Sequence, residues 1–232
     1  MEYLCIIPAR KGSKGVPGKN MVKVAGRPLI SYSLEVAKEA LGDLPNFTVF
    51  VSTDSEEIQQ FAIAEGIEVP FLRPDEFAGD RSPSIEFVLH ALKEFSKRGK
   101  EFDAVMILQP TSPMRTAKTV RDAISLLEKN PSADSLITAF EDPSINLDTY
   151  YQRTDEGFGL GVTENHNTGG RRQDLMPTYV RNGAVYIVKT DYLERTGKLI
   201  ADRPLVLVMD EAVSINVDGP DDLAKLKEVL EK

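Results

Sequence analysis

Residues 12–20 read Gly12-Ser13-Lys14-Gly15-Val16-Pro17-Gly18-Lys19-Asn20, and the rest of the chain is interpreted around this glycine-rich loop. The loop follows a short apolar run, Tyr3 to Ile7, which is typical of a buried first strand. Glycines permit tight backbone angles and close approach to a ligand. Residues 1–24 contain five cations and one acid, whereas the whole chain carries 28 Lys and Arg against 36 Asp and Glu. A cationic glycine loop on an acidic protein predicts a polyphosphate site.

The loop differs from two common nucleotide-binding motifs. The phosphate loop of nucleoside triphosphatases has four residues between its first glycine and Gly-Lys, followed by Ser or Thr. Here five residues separate Gly12 from Gly18, and Asn20 follows Lys19. The dinucleotide motif Gly-x-Gly-x-x-Gly is missing as well, which disfavours a nicotinamide-linked dehydrogenase. A solvated surface loop remains the alternative interpretation of these residues.

Length and composition favour a single α/β domain over residues 1–232. The chain contains no apolar run near the ~20 residues of a membrane span, and no cleavable signal precedes Pro8. We therefore expect no membrane association and a cytoplasmic location. A net charge of −8 argues against nucleic acid as a partner. Cys5, the one cysteine of the sequence, is expected to be a buried, unreactive thiol.

Apolar patterns predict alternating strands and helices. The predicted strands are Leu4–Ile7, Thr48–Val51, Ala104–Leu108, Ser135–Phe140, Ala184–Val188 and Leu205–Val208. The predicted helices are Leu29–Ala40, Glu56–Ala64, Ile85–Lys97, Thr119–Lys129 and Asp221–Glu231. Short apolar strands between helices indicate a Rossmann-like, three-layer α/β domain with a mostly parallel sheet. Ligands of such sheets bind beyond the carboxyl ends of the strands, which is where the glycine loop begins.

Polar turns follow or precede several predicted strands. Asp54 or Ser55 is expected to cap the helix that begins at Glu56. After the third strand, the two prolines of Leu108-Gln109-Pro110-Thr111-Ser112-Pro113-Met114-Arg115 predict a fixed turn. In that turn Gln109 points into the ligand crevice, while Thr111 and Ser112 shape the backbone. Asn182-Gly183 is predicted to be a turn ahead of the strand at Ala184.

The segment from Ile6 to Asn20 resembles the opening signature of the acylneuraminate cytidylyltransferases, also called CMP-sialic acid synthetases. Further similarities cover nearly all of the chain. They lie in Ser52-Thr53-Asp54, Leu72-Arg73-Pro74, Leu108–Arg115, Arg172-Gln173 and Ser214–Asp218. The resemblance implies a fold of the nucleotide-diphospho-sugar transferase type. It also implies an enzyme that joins CTP to a 2-keto sugar acid, sialic-acid-like, and releases pyrophosphate.

The same resemblance implies a nucleotide site. Its residues are Ala9, Arg10, Gly12, Ser13, Lys19, Asn20, Arg73, Gly79 and Ser82. Arg10 and Lys19 would neutralise the triphosphate, and with Asp218 they are the expected catalytic residues. Arg73 would donate to O2 and N3 of cytosine, and a carbonyl near Gly79 would accept from N4. On the residues alone, a solvated arginine before a proline remains the alternative.

Three residues are expected to bind the acidic sugar: Gln109, Arg172 and Gln173. In the family the glutamine of the third-strand turn lies near the sugar acid. The arginine before the later glutamine binds acidic substrate groups, because a guanidinium pairs with a carboxylate through two parallel hydrogen bonds. Arg172 is assigned this role, and Arg171 is its solvated neighbour.

Asn216 and Asp218 are expected to hold Mg²⁺. They are two residues apart, so in an extended run both side chains face the same way. Oxygen ligands suit magnesium. The family usually has aspartate at both positions, and the neutral amide of Asn216 attracts a cation less strongly. Helix capping is the alternative role of Asp218.

Residues 141–177 form the least regular part of the chain and are expected to be an inserted arm or lid. Gly157, Gly159 and Gly161 favour a hairpin turn over a phosphate cradle. The resemblance implies that this segment is a dimerisation arm and that the protein is a homodimer.

Two departures from the family pattern keep rival functions open. The family commonly shows a His-Pro pair and a downstream lysine, whereas this chain has Asp142-Pro143 and no lysine between Glu141 and Gln173. The first rival is therefore a CMP transferase for a different acid, such as a legionaminic-type sugar, an eight-carbon keto acid or a phosphonate. The second rival, suggested by Asn216, is a nonenzymatic nucleotide-binding relative.

Overall fold

The computed structural model describes residues 1–168 and 176–231. The longer strands are β1 (Tyr3–Pro8), β4 (Phe47–Ser52), β5 (Ala104–Ile107), β6 (Ser135–Glu141), β9 (Tyr179–Lys189) and β10 (Leu205–Val208). The short strands are β2 (Lys23–Val24), β3 (Arg27–Pro28), β7 (Tyr151–Arg153) and β8 (Gly159–Gly161). The helices are α1 (Leu29–Leu41), α2 (Glu56–Ala64), α3 (Ser84–Ser96), α4 (Ala117–Glu128), α5 (Thr190–Thr196) and α6 (Pro220–Leu230).

The described strands form a six-stranded central sheet with the order β10-β6-β9-β5-β1-β4. β1 pairs in parallel with both β4 and β5, and β10 pairs in parallel with β6. β9 runs antiparallel to its neighbours β5 and β6. The expected α/β fold with a mostly parallel sheet is confirmed.

Helices cover both faces of the sheet. The side chains of β1 are buried from Tyr3 to Ile7, as expected for a strand without a solvent face. Tyr3 donates from its hydroxyl to Glu128 of α4. On β4, Phe50 is level with Ile6, which points to the opposite face from Tyr3, and Phe50 packs edge-on against Phe95 of α3. α3 and α4 therefore lie on opposite faces, which gives the predicted three layers.

The one prediction within the sheet that is wrong concerns β9. Asn182 and Gly183 were expected to form a turn before the strand, but they lie inside it. The pairing of β6 with β9 shifts register between Ile137 and Ala139, so β9 carries a bulge there. Gly183 has a φ of 75°, which a bulge accommodates and a regular strand does not. The turn-forming residues are therefore explained by a bulge.

Helix α5 and the strand pair β2–β3 were not predicted, whereas one hairpin turn was. α5 spans seven residues of which Tyr192 and Leu193 are buried, a signal too short to show helical periodicity. The β2–β3 pair has two residues in each strand. The expected hairpin is confirmed, because β7 pairs with β8 across a turn that contains Gly157 at a φ of 94°.

Among the described residues, no helix is both long and apolar enough to cross a bilayer. Cys5 is completely buried, and burial raises the pKa of its thiol to about 12. The expected unreactive character of this thiol agrees with that shift.

Candidate functional site

The candidate site is a cavity of about 280 Å³ at the carboxyl ends of β1, β4 and β5. Many of the predicted site residues surround it: Arg10, Gly12, Ser13, Lys19, Asn20, Arg73, Gly79, Ser82, Gln109 and Asp218. Among these predicted residues, the first and the last, Arg10 and Asp218, are 208 positions apart in the chain, and the structure brings them to one cavity. Their assignment to individual ligand groups stays a prediction.

The glycine loop leaves β1 and turns back into a short 3-10 helix at Lys19–Met21. Asn20 is buried and donates from Nδ2 to the carbonyl oxygen of Arg10 at 2.9 Å, which fixes the start of the loop to its end. Gly18 has a φ of 62°, a conformation that favours glycine. Gly15 passes so close to Asp218 that a Cβ there would overlap the Asp218 carbonyl oxygen. The loop therefore rests directly against the segment that carries Asp218.

The loop cations already have partners around the cavity. Arg10 donates from Nη1 to Asp80 at 2.8 Å and to the Ala78 carbonyl oxygen at 3.2 Å. Lys14 lies 3.6 Å from the same Asp80 carboxylate. The hydrogen bond from Arg10 lowers the pKa of Asp80. A polyphosphate entering the cavity would compete with Asp80 for these cations.

Lys19 contacts a different segment from the one that Arg10 and Lys14 contact. Its Nζ donates to the carbonyl oxygen of Val217 at 2.7 Å. Burial lowers the pKa of Lys19, and the nearby carboxylate of Asp218 opposes that shift. The ammonium is therefore held at the cavity wall between the glycine loop and the Asp218 segment.

Arg73 is buried, so the solvated-arginine alternative is wrong. Its Nε donates to Ser52 Oγ at 3.0 Å and its Nη2 to the Ser52 carbonyl oxygen at 2.7 Å. The guanidinium lies 4.7 Å from the ring centroid of Phe87, and burial lowers its pKa to about 10. Held at the end of β4, the side chain lines the cavity as a fixed, charged donor.

The turn after β5 supplies the next wall. Gln109, Pro110 and Thr111 line the cavity. The β9 bulge lies close to this turn, since a Cβ on Gly183 would lie 2.7 Å from Gln109 Oε1. Ser112 donates from Oγ to the carbonyl oxygen of Asn182 at 2.9 Å. Gln109 thus lines the cavity, its contact with a ligand stays a prediction, and Ser112 connects its turn to β9.

Asn216 and Asp218 alternate with Ile215 and Val217, which are buried in an apolar cluster. The side chains of Asn216 and Asp218 therefore face the other side of the segment. Asn216 donates from Nδ2 to Asp218 Oδ2 at 2.7 Å. The capping alternative for Asp218 is wrong, since Asp222 Oδ2 accepts the backbone N–H groups of Asp218 and Gly219 at 2.9 Å.

The expected magnesium ligands fit the ion in part. In the described part of the chain no group of three or more His, Cys, Asp and Glu side chains could hold a metal. Mg²⁺ in nucleotide sites is bound by one or two carboxylates together with substrate phosphates and water, which suits Asp218 at the cavity wall. Asn216 points its amide nitrogen at Asp218 and its oxygen at Ser112 Oγ, 3.5 Å away. Its amide would have to turn before the oxygen could join Asp218 on a cation.

Two predicted residues that the structure describes, Ala9 and Asn216, do not line the cavity. Ala9 is completely buried and donates its backbone N–H to Ser52 O at 2.9 Å, so it supports the loop from beneath. Arg172 and Gln173, expected on the sugar, lie outside the described residues, as does Arg171.

Sequence reasoning missed several residues of the cavity wall. Asp80 closes the cationic cluster through its contacts with Arg10 and Lys14. Phe77, Ser84 and Phe87 also line the cavity. Phe77 belongs to a 3-10 turn, and Ser84 and Phe87 belong to the first turn of α3. The amphipathic pattern of α3 predicted only that a helix would form.

Comparison with known proteins places these observations in a family context. A cytidylyltransferase family model matches residues 4–181. The N-acylneuraminate cytidylyltransferase of Streptococcus agalactiae serotype V is 32% identical over 222 residues, which are 96% of this chain and 52% of that protein. The chain thus spans about half the length of this relative. The CMP-N,N'-diacetyllegionaminic acid synthase of Legionella pneumophila is 32% identical over 238 residues, covering 100% of this chain and 97% of that protein.

A solved structure shares the fold. CMP:2-keto-3-deoxy-manno-octonic acid synthetase complexed with CTP superposes with a TM-score of 0.71, covering 100% of this chain and 99% of that chain. Its sequence identity is 17%, so this similarity concerns the fold alone.

Proposed function

The chain belongs to the cytidylyltransferase family, and we propose that it couples CTP to a 2-keto sugar acid of the sialic acid type, giving a CMP-sugar and pyrophosphate. The observation that carries the proposal is the single cavity in which Arg10, Lys19 and Arg73 meet Gln109 and Asp218. Three cations around the cavity suit a nucleoside triphosphate. The amide of Gln109 and the carboxylate of Asp218 suit a hydroxylated acceptor and a cation.

On the nucleotide side, Arg10 and Lys19 would neutralise the triphosphate, and Arg73 would select the base. Nε and Nη2 of Arg73 are used by Ser52, so among the described contacts Nη1 is left to donate to the acceptor atoms of cytosine. Uracil presents a donor at N3 where cytosine presents an acceptor. A fixed guanidinium therefore favours CTP over UTP.

In the proposed step, the anomeric hydroxyl oxygen of the sugar acid forms a bond to the α-phosphorus of CTP. The bond from that phosphorus to the bridging oxygen breaks, pyrophosphate leaves in line with the attack, and the hydroxyl proton passes to water. Catalysis of this kind depends on positioning and on neutralising charge. Arg10 and Lys19 supply charge at the triphosphate, and Gln109 orients the acceptor.

We propose Mg²⁺ as the cofactor, held by Asp218 together with the triphosphate. The ion would supply neutralisation of the charge on the phosphates. Asn216 would orient the Asp218 carboxylate through its 2.7 Å hydrogen bond, or would give up that bond and turn its amide so that its oxygen joins Asp218 on the ion.

One observation favours a different acid as the acceptor. At the end of β6, where the family commonly has histidine, Asp142 accepts hydrogen bonds from the backbone N–H and the hydroxyl of Ser144. These bonds lower the pKa of Asp142, so a negative charge stands where a histidine would be neutral or positive. A legionaminic-type sugar, an eight-carbon keto acid or a phosphonate is the second candidate acceptor.

The test is a matrix of CTP, UTP, ATP and GTP against several 2-keto sugar acids, followed by pyrophosphate release with and without Mg²⁺. We expect magnesium-dependent release with CTP and at least one sugar acid. Release with a sialic acid alone would reject the second candidate. Equal turnover of all four nucleotides would contradict the role of Arg73, and no release with any acid would contradict the proposed function.

We also propose that the protein is a homodimer joined through its arm. The β7–β8 hairpin exposes apolar side chains, among them Phe158 at 72% exposure and Leu160 at 58%. A two-stranded hairpin is marginally stable in water without a surface to pack on. A second copy of the chain would provide that surface. Because CTP is held inside cells, we propose that the reaction takes place in the cytoplasm.

A further inference from the structure

Arg115 is a buried cation behind the cavity. Its residue is 3% exposed, and within residues 1–168 and 176–231 it forms no ion pair. Burial lowers the pKa of its guanidinium to about 9, so the group is charged at neutral pH. A buried charge without a carboxylate is costly unless hydrogen bonds replace its hydration. The position therefore needs an explanation beyond packing.

The hydrogen bonds of Arg115 converge on three separate elements. Nη1 donates to the carbonyl oxygens of Gln109 at 2.8 Å, Ser112 at 2.9 Å and Ala184 at 3.1 Å. Nη2 donates to Oγ of Ser33, a completely buried residue of α1. One planar guanidinium thus connects the turn after β5, the bulge of β9 and the first half of α1.

The backbone turn that Arg115 fixes is itself hydrogen-bonded to the opposite wall of the cavity. The carbonyl oxygen of Thr111 accepts the backbone N–H of Val217 at 2.7 Å. The carbonyl oxygen of Val217 accepts from Lys19 Nζ at 2.7 Å. A continuous series of hydrogen bonds therefore runs from Arg115 through this turn to the ammonium of Lys19, while Gln109 projects from the same turn into the cavity.

We infer that Arg115 is a positioning residue, which fixes the separation between Gln109 on the acceptor side and Lys19 on the triphosphate side. The inference rests on the proposed function, because that function places the two substrates on these two walls. Arg115 acts through the backbone of the turn and is not in the cavity wall. Lysine cannot replace it, because a single ammonium cannot reproduce the planar array of donors that reaches four acceptors.

The test compares Arg115→Lys with Arg121→Lys. Arg121 lies on α4, which begins shortly after Arg115, and its Nη1 donates to one backbone carbonyl oxygen, that of Glu39, at 3.2 Å on the exposed surface. Both variants keep the charge and lose the guanidinium. The number of competent sites is counted by calorimetric titration with CTP, and kcat is expressed per competent site.

We expect Arg115→Lys to lower kcat by about 10- to 100-fold per site, since misplacement of about 1 Å costs about 100-fold. The dissociation constant for CTP should stay within about threefold, and Arg121→Lys should match the parent enzyme. A loss of competent sites with an unchanged kcat per site would show a merely structural role and overturn the inference. So would an unchanged kcat in Arg115→Lys.

Amide hydrogen exchange tests the same inference without turnover. In Arg115→Lys we expect faster exchange in residues 109–116, 182–187 and 214–219, and unchanged exchange in the rest of the sheet. Uniformly faster exchange, or no change in these segments, would overturn the inference. If the parent chain turns over no acid, the proposed function fails, while the exchange pattern still decides whether Arg115 fixes the two walls.

Discussion

At the scale of single residues, Lys19 shows how the fold sets the chemistry of a cation. Its ammonium is partly buried, donates to Val217 O and lies near the Asp218 carboxylate. Burial favours the neutral amine, whereas the carboxylate favours the charged form, and burial is the larger effect because the pKa is lowered. The residue therefore loses its proton at a lower pH than an exposed lysine does.

This shift predicts the alkaline limb of the pH profile. We expect kcat/KM for CTP to fall at a pH below the ordinary lysine pKa of about 10.4, because the free enzyme loses the Lys19 charge there. Lys19→Arg should move that limb to higher pH. The profile should be recorded with saturating acceptor, and the same limb in parent and variant would contradict the prediction.

The contribution of Lys19 to the stability of the fold should change in the opposite direction to kcat/KM over the same pH range. With its pKa lowered in the folded state, Lys19 binds fewer protons folded than unfolded between the two pKa values. The free energy of unfolding contributed by this residue therefore rises as the pH increases through that window. A fall in nucleotide affinity without a loss of stability would separate this effect from alkaline unfolding.

Gly183 gives a second prediction at this scale. A methyl group there would lie 2.7 Å from Gln109 Oε1 and 3.2 Å from Ser112 Oγ, and the φ of 75° adds backbone strain. Gly99 has a φ of 74° and open space around its Cβ position, so Gly99→Ala is the matched control for strain. Each change should cost about 1–2 kcal/mol of stability through strain.

We expect Gly183→Ala alone to raise the acceptor KM or lower kcat, because it displaces Gln109. Steady-state kinetics with varied acceptor and saturating CTP would measure this. If the two glycine variants retain the same turnover, Gly183 does not support Gln109 and the prediction fails.

At the scale of elements, the apolar pattern and the polar residues at strand ends predicted most of the sheet. β1, β4, β5, β6 and β10 lie where expected, because each is a short, largely apolar run. β1 and β5 are buried along nearly their whole length, whereas β10, at the edge of the sheet, exposes Val206 and Val208. β9 shows the limit of that reasoning. Asn182 and Gly183 carry turn chemistry, yet pairing with β6 along Tyr179–Lys189 overrides it and leaves a bulge. Long-range pairing of this kind leaves no local pattern in the sequence.

The start of α2 provides a prediction for one element. Ser55 accepts the backbone N–H of Ile58 from its side chain, as the sequence indicated for Asp54 or Ser55. Ser55→Ala should lower the free energy of unfolding by about 1 kcal/mol, whereas Ser55→Asp should keep most of it. Urea denaturation of the three proteins measures the difference, and equal midpoints for the alanine and aspartate variants would contradict the capping role.

At the scale of the whole molecule, the glycine loop predicted where the ligand would bind, because the carboxyl ends of parallel strands share one edge. That rule brought Arg10, Arg73 and Gln109 to one cavity from three different strand ends. It could not predict that Asp80 would pair with Arg10 or that Arg115 would be buried with no ion pair to any of the described residues. Those details depend on loop conformations and on distances between elements that no spacing in the sequence encodes.

The arm gives the prediction for the assembly. Phe158→Asp places a charge on the most exposed aromatic of the hairpin and should shift the proposed homodimer toward monomer in sedimentation velocity. Ile63→Asp is the control, since Ile63 on α2 is 47% exposed and belongs to another surface. A monomeric parent, or equal dissociation of both variants, would contradict dimerisation through the arm.

The direction of β1 also determines where a tether or a fluorophore can be attached. Met1 lies beside Asn46, which donates from Nδ2 to its carbonyl oxygen, and this is the edge of the sheet opposite the cavity. A tether or fluorophore attached ahead of Met1 would therefore point away from the nucleotide. The protein can be immobilised on a sensor surface through that position with the mouth of the cavity facing the flow.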